Sequence, residues 1–315
     1  MADKGSSHVS YQQKNKVRLS TFEHALAGGV SGFITRAVAQ PLDVLKIRFQ
    51  LQVEPTCGKR TGLYYGILQA TAKIVNTEGL SGLWKGHVPA QFLTVAYGIG
   101  QFGSYAFLTR IASENGFGES NSIRGTCGGI SGMIGTLLSM PCDVVRTRVV
   151  AQGHPKQYSG MFDACRQILK KEGPQSLWRG LTPTLLQNAP QTALQFYFYN
   201  AFMKFATSFC GEDGFLTASA ISGTAAGAFA KACTYPLDTL KKRIQMRGFE
   251  DARSQFGRVV KYKSMLECIA KVTQEEGVIA WFKGLWPSLL KATVSSGLIF
   301  VSYEFTCIFL TKTYH

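Results

Sequence analysis

One eight-residue pattern, proline-x-aspartate-x-x-base-x-arginine, occurs three times in this chain. It reads Pro41-Leu-Asp43-Val-Leu-Lys46-Ile-Arg48, then Pro141-Cys-Asp143-Val-Val-Arg146-Thr-Arg148, then Pro236-Leu-Asp238-Thr-Leu-Lys241-Lys-Arg243, at spacings of 100 and 95 residues. A second signature follows each copy at constant spacing: Glu78-Gly79 with Trp84-Lys85-Gly86, Glu172-Gly173 with Trp178-Arg179-Gly180, and Glu276-Gly277 with Phe282-Lys283-Gly284. Glycines four apart precede each proline: Gly28/Gly32, Gly128/Gly132 and Gly223/Gly227. Self-similarity at a fixed period means three copies of one structural unit.

Charge is absent where helices must go. Gly86–Thr109, Gly125–Cys142 and Gly180–Met203 carry no Asp, Glu, Lys or Arg. His24–Leu42 holds only Arg36, Gly214–Leu237 only Lys231, and Gly284–Tyr303 only Lys291. A spanning helix needs about 20 mostly apolar residues, so six windows qualify by length. Gly, Ser, Thr, Gln and Tyr dilute them, which suits helices lining a polar interior. Six buried helices of a soluble bundle would instead carry charged outer stripes.

The net charge of +15 sits mainly in segments 43–85, 143–179 and 238–283, which carry +3, +4 and +4. The long basic connections therefore share one side and both termini the other, consistent with retention of Lys and Arg on one face of a membrane. Residues 1–19 form a polar tail with no apolar stretch of a signal peptide. Eight cysteines without CxxC spacing read as small buried hydrophobes, not as a disulfide frame or a zinc site. Each unit is thus a helix kinked at its proline, a basic connection with a short amphipathic helix (64–77, 159–171, 262–275), and a return helix. The repeats span 20–113, 120–209 and 214–312. The paired glycines are expected to let neighbouring helices approach closely.

The three signatures resemble those of the mitochondrial carrier family, over essentially the whole chain. The resemblance implies an all-α membrane protein of six transmembrane helices in three pseudo-threefold repeats, with short matrix-side helices. It implies a monomer in the mitochondrial inner membrane, both termini toward the intermembrane space, in contact with cardiolipin. It further implies a central substrate site, a gate on each side, and counter-exchange with nucleotides.

Asp43/Lys46, Asp143/Arg146 and Asp238/Lys241 could be local i,i+3 pairs, but given the resemblance they are expected to form the matrix gate, a ring in which each aspartate pairs with the base of the next repeat. The resemblance implies a bracing glutamine two residues beyond each motif arginine. Gln50 and Gln245 match and Val150 does not, so two braces are expected. The outer gate departs from the family's aromatic-acid-x-x-base pattern: Tyr105-Ala106, Tyr199-Asn200 and Tyr303-Glu304 precede Thr109, Met203 and Cys307. With Glu304 the sole acid there, closure is expected to be weak and to rest on the three tyrosines.

Arg36, Lys231 and Lys291 are the sole charges inside the windows. Each basic residue at mid-membrane costs about 2.5–3.5 kcal/mol, and no acid lies in any window to offset them. Arg36 and Lys231 lie 7 residues before Asp43 and Asp238, and Lys291 lies 7 after Gly284. At about 1.5 Å per residue each sits roughly 10 Å inside one face, so a coplanar basic cluster facing an anion is expected. The same register places Leu93, Gln187 and Lys291 at one depth, with Asn188 adjacent. Tyr97 and Gln191 come a turn further, then Gln101 and Gln195. Three cations, an amide stripe and aromatic faces suit a diphosphate joined to a heteroaromatic cation. Thiamine pyrophosphate or its monophosphate fits as a transported substrate, with no cofactor. An adenine nucleotide, a deoxynucleotide or coenzyme A fits equally. No GxSxG, HExxH, Walker or GxGxxG motif stands in usable context, so no enzyme is expected. A nucleic-acid partner is suggested by charge alone and is not expected.

Overall fold

The computed structural model describes residues 21–54, 62–115, 120–153, 156–210, 215–250, 252, 258 and 260–314. The polar tail 1–19 and Cys57 lie outside them. Among the described residues all regular structure is helical: α1 (Thr21–Leu51), α2 (Ile67–Glu78), α3 (His87–Glu114), α4 (Asn121–Ala151), α5 (Met161–Glu172), α6 (Leu181–Cys210), α7 (Phe215–Gln245), α8 (Met265–Lys271) and α9 (Leu285–Tyr314). The pattern long, short, long occurs three times. The six long helices have 28 to 31 residues, about 42–46 Å at the standard rise, more than a bilayer core requires. Their outward surfaces are apolar: Phe33, Ile99, Phe102, Phe196, Phe205, Val301 and Phe305 are all exposed, Phe102 by 73%. A soluble bundle would bury such side chains. Among the described residues, the helical stretches Ile123–Ala151 and Val278–Thr311 are long and apolar enough to cross a membrane. The others are diluted by small and polar residues.

Each odd helix runs through its proline, Pro41, Pro141 or Pro236, as one element. The second signature has a backbone explanation. Gly79, Gly173 and Gly277 end the first α-helical or π-helical turn segment of each connection at φ 76°, 80° and 79°. Gly86, Gly180 and Gly284 start the return helices at φ 75°, 88° and 84°. Only glycine adopts this region without strain. Between them lie 3₁₀ turns over Leu80–Trp84, Pro174–Trp178 and Val278–Phe282. The short helices begin at Ile67, Met161 and Met265 and bury Ala70/Ile74, Ala164/Ile168 and Cys268. Ser264 caps α8 by accepting from the Glu267 N–H at 3.1 Å.

The chain forms two compact units, one of residues up to Ala39 with those from Val294 onward, the other Gln40–Thr293. In the first, the Ser31 hydroxyl on α1 donates to the Ile299 carbonyl at 2.7 Å and meets the Ser302 hydroxyl at 2.8 Å on α9. In the second, α3 packs along α4 and α6 along α7. Its apolar core lies at the motif end, where Val44, Leu45, Val145, Ile74, Ile168 and Leu177 are buried together.

The glycine expectation is corrected. Among the described residues, a Cβ on Gly28, Gly32, Gly128, Gly132 or Gly227 would meet nothing within 4 Å, and on Gly223 only Tyr199 at 3.9 Å. The close approaches lie elsewhere. A Cβ on Gly100 would stand 2.9 Å from the Gly135 Cα, joining α3 to α4. A Cβ on Gly284 would stand 2.9 Å from the Lys46 carbonyl, on Gly180 3.2 Å from the Lys241 carbonyl, and on Gly86 3.3 Å from the Arg146 carbonyl. Each return helix therefore starts against the backbone of a neighbouring repeat's odd helix. Nor are all cysteines buried: Cys127 and Cys268 are, whereas Cys233 is exposed.

Gly284→Ala is expected to destabilise the protein by about 2–3 kcal/mol, from positive φ and overpacking together. Gly128→Ala should stay within about 0.5 kcal/mol. Thermal unfolding of the detergent-solubilised variants measures both.

Candidate functional site: an ion-pair ring beneath two site lysines

The three motif aspartates lie two residues past their prolines, with the bases about one turn further on the same helix. Each nevertheless pairs across repeats. Arg146 of α4 reaches Asp43 of α1 at 2.5 Å, Lys241 of α7 reaches Asp143 of α4 at 2.8 Å, and Lys46 of α1 reaches Asp238 of α7 at 2.6 Å. The three carboxylates are buried. A buried carboxylate is tolerated only when charge and hydrogen bonds are both supplied, so each joint has more than one donor. The Gln50 amide donates to Asp238 at 2.9 Å and the Gln245 amide to Asp143 at 2.7 Å. At the Val150 position no amide exists. Asp43 instead receives Lys291, whose Nζ lies 2.8 Å from Oδ1 and 2.9 Å from Oδ2.

The windows hold no acid, but Asp43 and Asp238 stand just past the ends of two of them, within reach of the window lysines. Lys291 is paired with Asp43, and the Lys231 Nζ stands 4.0 Å from Asp238. Counting helical rise located the Cα atoms. It omitted the flexible lysine stem, which carries the ammonium toward the ring. Arg36 is half-buried on α1 in the other compact unit.

The amide stripe is partly engaged with neighbouring helices. Gln187 is buried and donates to Gln191 at 3.2 Å. Asn188 donates to the Thr136 hydroxyl on α4 at 3.2 Å, and the Thr234 hydroxyl on α7 reaches Gln191 at 3.5 Å. Gln195 is exposed. Leu93, Tyr97 and Gln101 are half-buried on α3, with the Tyr97 carbonyl and Gln101 Cβ against Gly135. Of the outer-gate candidates in the unit Gln40–Thr293, Tyr199 meets the Ser219 hydroxyl at 3.0 Å and Tyr105 is half-buried; in the other unit Tyr303 meets His24 Nδ1 at 2.8 Å and Glu304 is exposed.

A second layer escaped the sequence reading. The motif arginines Arg48, Arg148 and Arg243 make forked pairs with Glu78, Glu172 and Glu276, the glutamates of the second signature. The base of that signature joins each pair: Lys85 on Glu78, Arg179 on Glu172, Lys283 on Glu276. Arg148 and Arg243 also donate to backbone carbonyls near the ends of neighbouring odd helices, Gln245 and Arg247 for the first, Gln50 and Gln52 for the second. Helix C-termini favour cations there. The joint recurrence of arginine and glutamate was the available signal.

Burial pushes the Glu78 carboxyl up, but the Arg48 and Lys85 contacts outweigh it and hold it below 4.5. Burial likewise opposes, and Arg148 and Arg179 outweigh, at Glu172. A depressed carboxylate adds stability above its unfolded value, and this is lost as pH falls through the folded value. The protein is therefore expected to lose stability on acidification below about pH 4.5. Glu172→Gln should cost roughly 3–5 kcal/mol at neutral pH, since it leaves Arg148 unpaired, and should flatten the acid limb. Thermal midpoints across pH 3–7 check this.

The family model for the mitochondrial carrier protein matches residues 17–116, 119–209 and 212–314. The mitochondrial thiamine pyrophosphate carrier of Homo sapiens is 44% identical over 306 residues, 95% of this chain and 96% of the relative. That of Bos taurus is 42% identical over 308 residues, covering 96% and 97%. The mitochondrial thiamine diphosphate carrier 1 of Zea mays is 37% identical over 309 residues, covering 89% and 92%.

Proposed function

Because the chain belongs to the mitochondrial carrier protein family, we propose that it carries thiamine pyrophosphate across the mitochondrial inner membrane by alternating access. The observation that carries this reading is the near-full-length identity to relatives bearing that name. Thiamine monophosphate is a second cargo in this reading, and nucleotides are the counter-substrate. The protein works as a monomer with both termini toward the intermembrane space, has no enzymatic activity, and needs neither a cofactor nor a nucleic acid. An anionic inner-membrane lipid such as cardiolipin is proposed to lie beside the starts of the return helices. The cleft of about 340 Å³ lined by Tyr65, Ile67, Lys283, Gly284 and Trp286 offers one such place.

The ring is the matrix gate, and the site lysines connect the cargo to it. Six cations (Lys46, Arg146, Lys241, Lys242, Lys231 and Lys291) surround three carboxylates. The surplus is positive, so the closed gate favours an anionic guest. A diphosphate arriving from the opposite side competes with Asp43 for Lys291 and with Asp238 for Lys231. Charge-assisted contacts to phosphate are worth about 1.5–3 kcal/mol each. As the lysines turn to phosphate, Asp43 loses a donor, Asp238 loses the attraction of a nearby cation, and the ring weakens. The cargo can shift the equilibrium only by this difference in affinity between the two states. The Gln187–Gln191 pair and Tyr97 are the proposed contacts for the pyrimidine and thiazolium rings, with Arg36, Asn188, Gln195, Gln101 and Leu93 completing the site. The outer gate has Tyr105, Tyr199 and Tyr303 with Glu304 and no charged ring, so it closes weakly.

An adenine nucleotide or coenzyme A would satisfy the same cations. Purified protein in liposomes loaded with thiamine pyrophosphate distinguishes them. Rapid exchange of external labelled thiamine pyrophosphate is expected, and exchange of nucleotides alone would overturn the reading. Lys291→Gln should raise KM about tenfold or more, equivalent to about 1.4 kcal/mol of phosphate binding.

A further inference from the structure

The three joints of the ring are not equivalent. Asp43 is held by Arg146 and, from two turns nearer the proposed site, by Lys291. Asp238 is held by Lys46 and Gln50, with Lys231 at 4.0 Å, two turns nearer the site on its own helix. Asp143 alone takes two adjacent lysines of one helix, Lys241 and Lys242, each at 2.8 Å.

Lys242 approaches from the opposite side to Lys291 and Lys231. Its Nζ also lies 3.0 Å from the Thr147 hydroxyl and 3.0 Å from Gln245 Oε1, both toward the C-terminal ends of α4 and α7. The Gln245 Oε1 further accepts from Thr147 at 2.6 Å, while its amide donates to Asp143. Lys242 is 5% exposed, so it is enclosed by this cluster. The equivalent positions in the other repeats are Ile47 and Thr147, and neither carries charge. The extra cation is thus a feature of one joint, not of the repeat.

We propose that Lys242 is a positioning residue that makes the Asp143 joint a lock unresponsive to substrate. A bound phosphate draws Lys291 from Asp43 and Lys231 from Asp238. It has no access to Lys242, which is buried beneath the ring. The gate therefore opens first at the two joints flanking repeat 1, and repeats 2 and 3 stay paired longest. This rests on reading the ring as a gate, and the test separates the two claims.

The test compares Lys242→Gln, Lys241→Gln and Lys291→Gln in the full chain. Glutamine at 242 keeps hydrogen bonds to Thr147 and Gln245 while removing the charge, which protects folding. Thermal midpoints are measured without substrate, and kcat and KM for thiamine pyrophosphate exchange are measured in liposomes. Lys242→Gln is expected to lower the substrate-free midpoint, hold KM within about twofold, and raise kcat about fivefold, because the closed state loses a donor that the substrate never takes. Lys291→Gln is expected to raise KM instead. A raised KM for Lys242→Gln would place Lys242 in the binding site and overturn the proposal. A lowered midpoint with kcat unchanged or reduced would make it a structural residue only, and no change at all would remove it from the gate. If Lys241→Gln also leaves midpoint and kcat unchanged, the gate reading itself falls. If Lys241→Gln alters them and Lys242→Gln does not, only the lock falls.

Discussion

Three buried carboxylates in a membrane protein demand three partners, and here the partners come from other repeats. Asp43, Asp143 and Asp238 pair with Arg146, Lys241 and Lys46. A local i,i+3 pair would have satisfied each charge within its own helix at a gain of a few tenths of a kcal/mol. Pairing across repeats instead makes every joint depend on the neighbouring helix staying close. The ring holds only while the motif ends of the odd helices converge. That makes it breakable in a way that apolar packing is not: removing one donor from a buried acid costs more than removing one methylene from a core.

The layer around the ring follows from the same constraint. Return helices must begin hard against neighbouring odd helices, so Gly86, Gly180 and Gly284 lack side chains and take positive φ. The arginine–glutamate pairs then fix each short helix to its odd helix, and Arg148 and Arg243 fix that assembly to the next repeat. Whereas the ring joins different repeats, this outer layer joins elements within each repeat as well as between them. Lys291 is bonded to Asp43 of the ring, and the Lys231 Nζ stands 4.0 Å from Asp238.

Much of this was legible in the residues because the repeat supplies three readings of each feature. The helices and the short connections follow from Pro41, Asp43 and their copies, whereas the across-repeat ring is what the family resemblance implies, since the same residues also allow a local i,i+3 pair. Two things were not legible. Side-chain reach is invisible to a count of helical rise, so the Lys291 contact with Asp43 does not follow from its depth on the helix. Residues that occur once in three repeats carry no repeat signal, and Lys242 is such a residue. The paired glycines misled for another reason. Small residues permit close packing without requiring it, and in this arrangement Gly128 and Gly132 face open space while Gly100 and Gly135 touch.

The central claim is that phosphorylated cargo loosens the ring by taking its lysines. Accessibility through the motif end tests it most directly. In a cysteine-free protein carrying Tyr97→Cys, reconstituted in liposomes, a membrane-impermeant thiol reagent is applied from the motif side. The account predicts slow labelling without substrate and fast labelling with thiamine pyrophosphate, and fast labelling in both conditions once Asp43, Asp143 and Asp238 are changed to Asn. Equal labelling with and without substrate in the protein that keeps its three aspartates would contradict it.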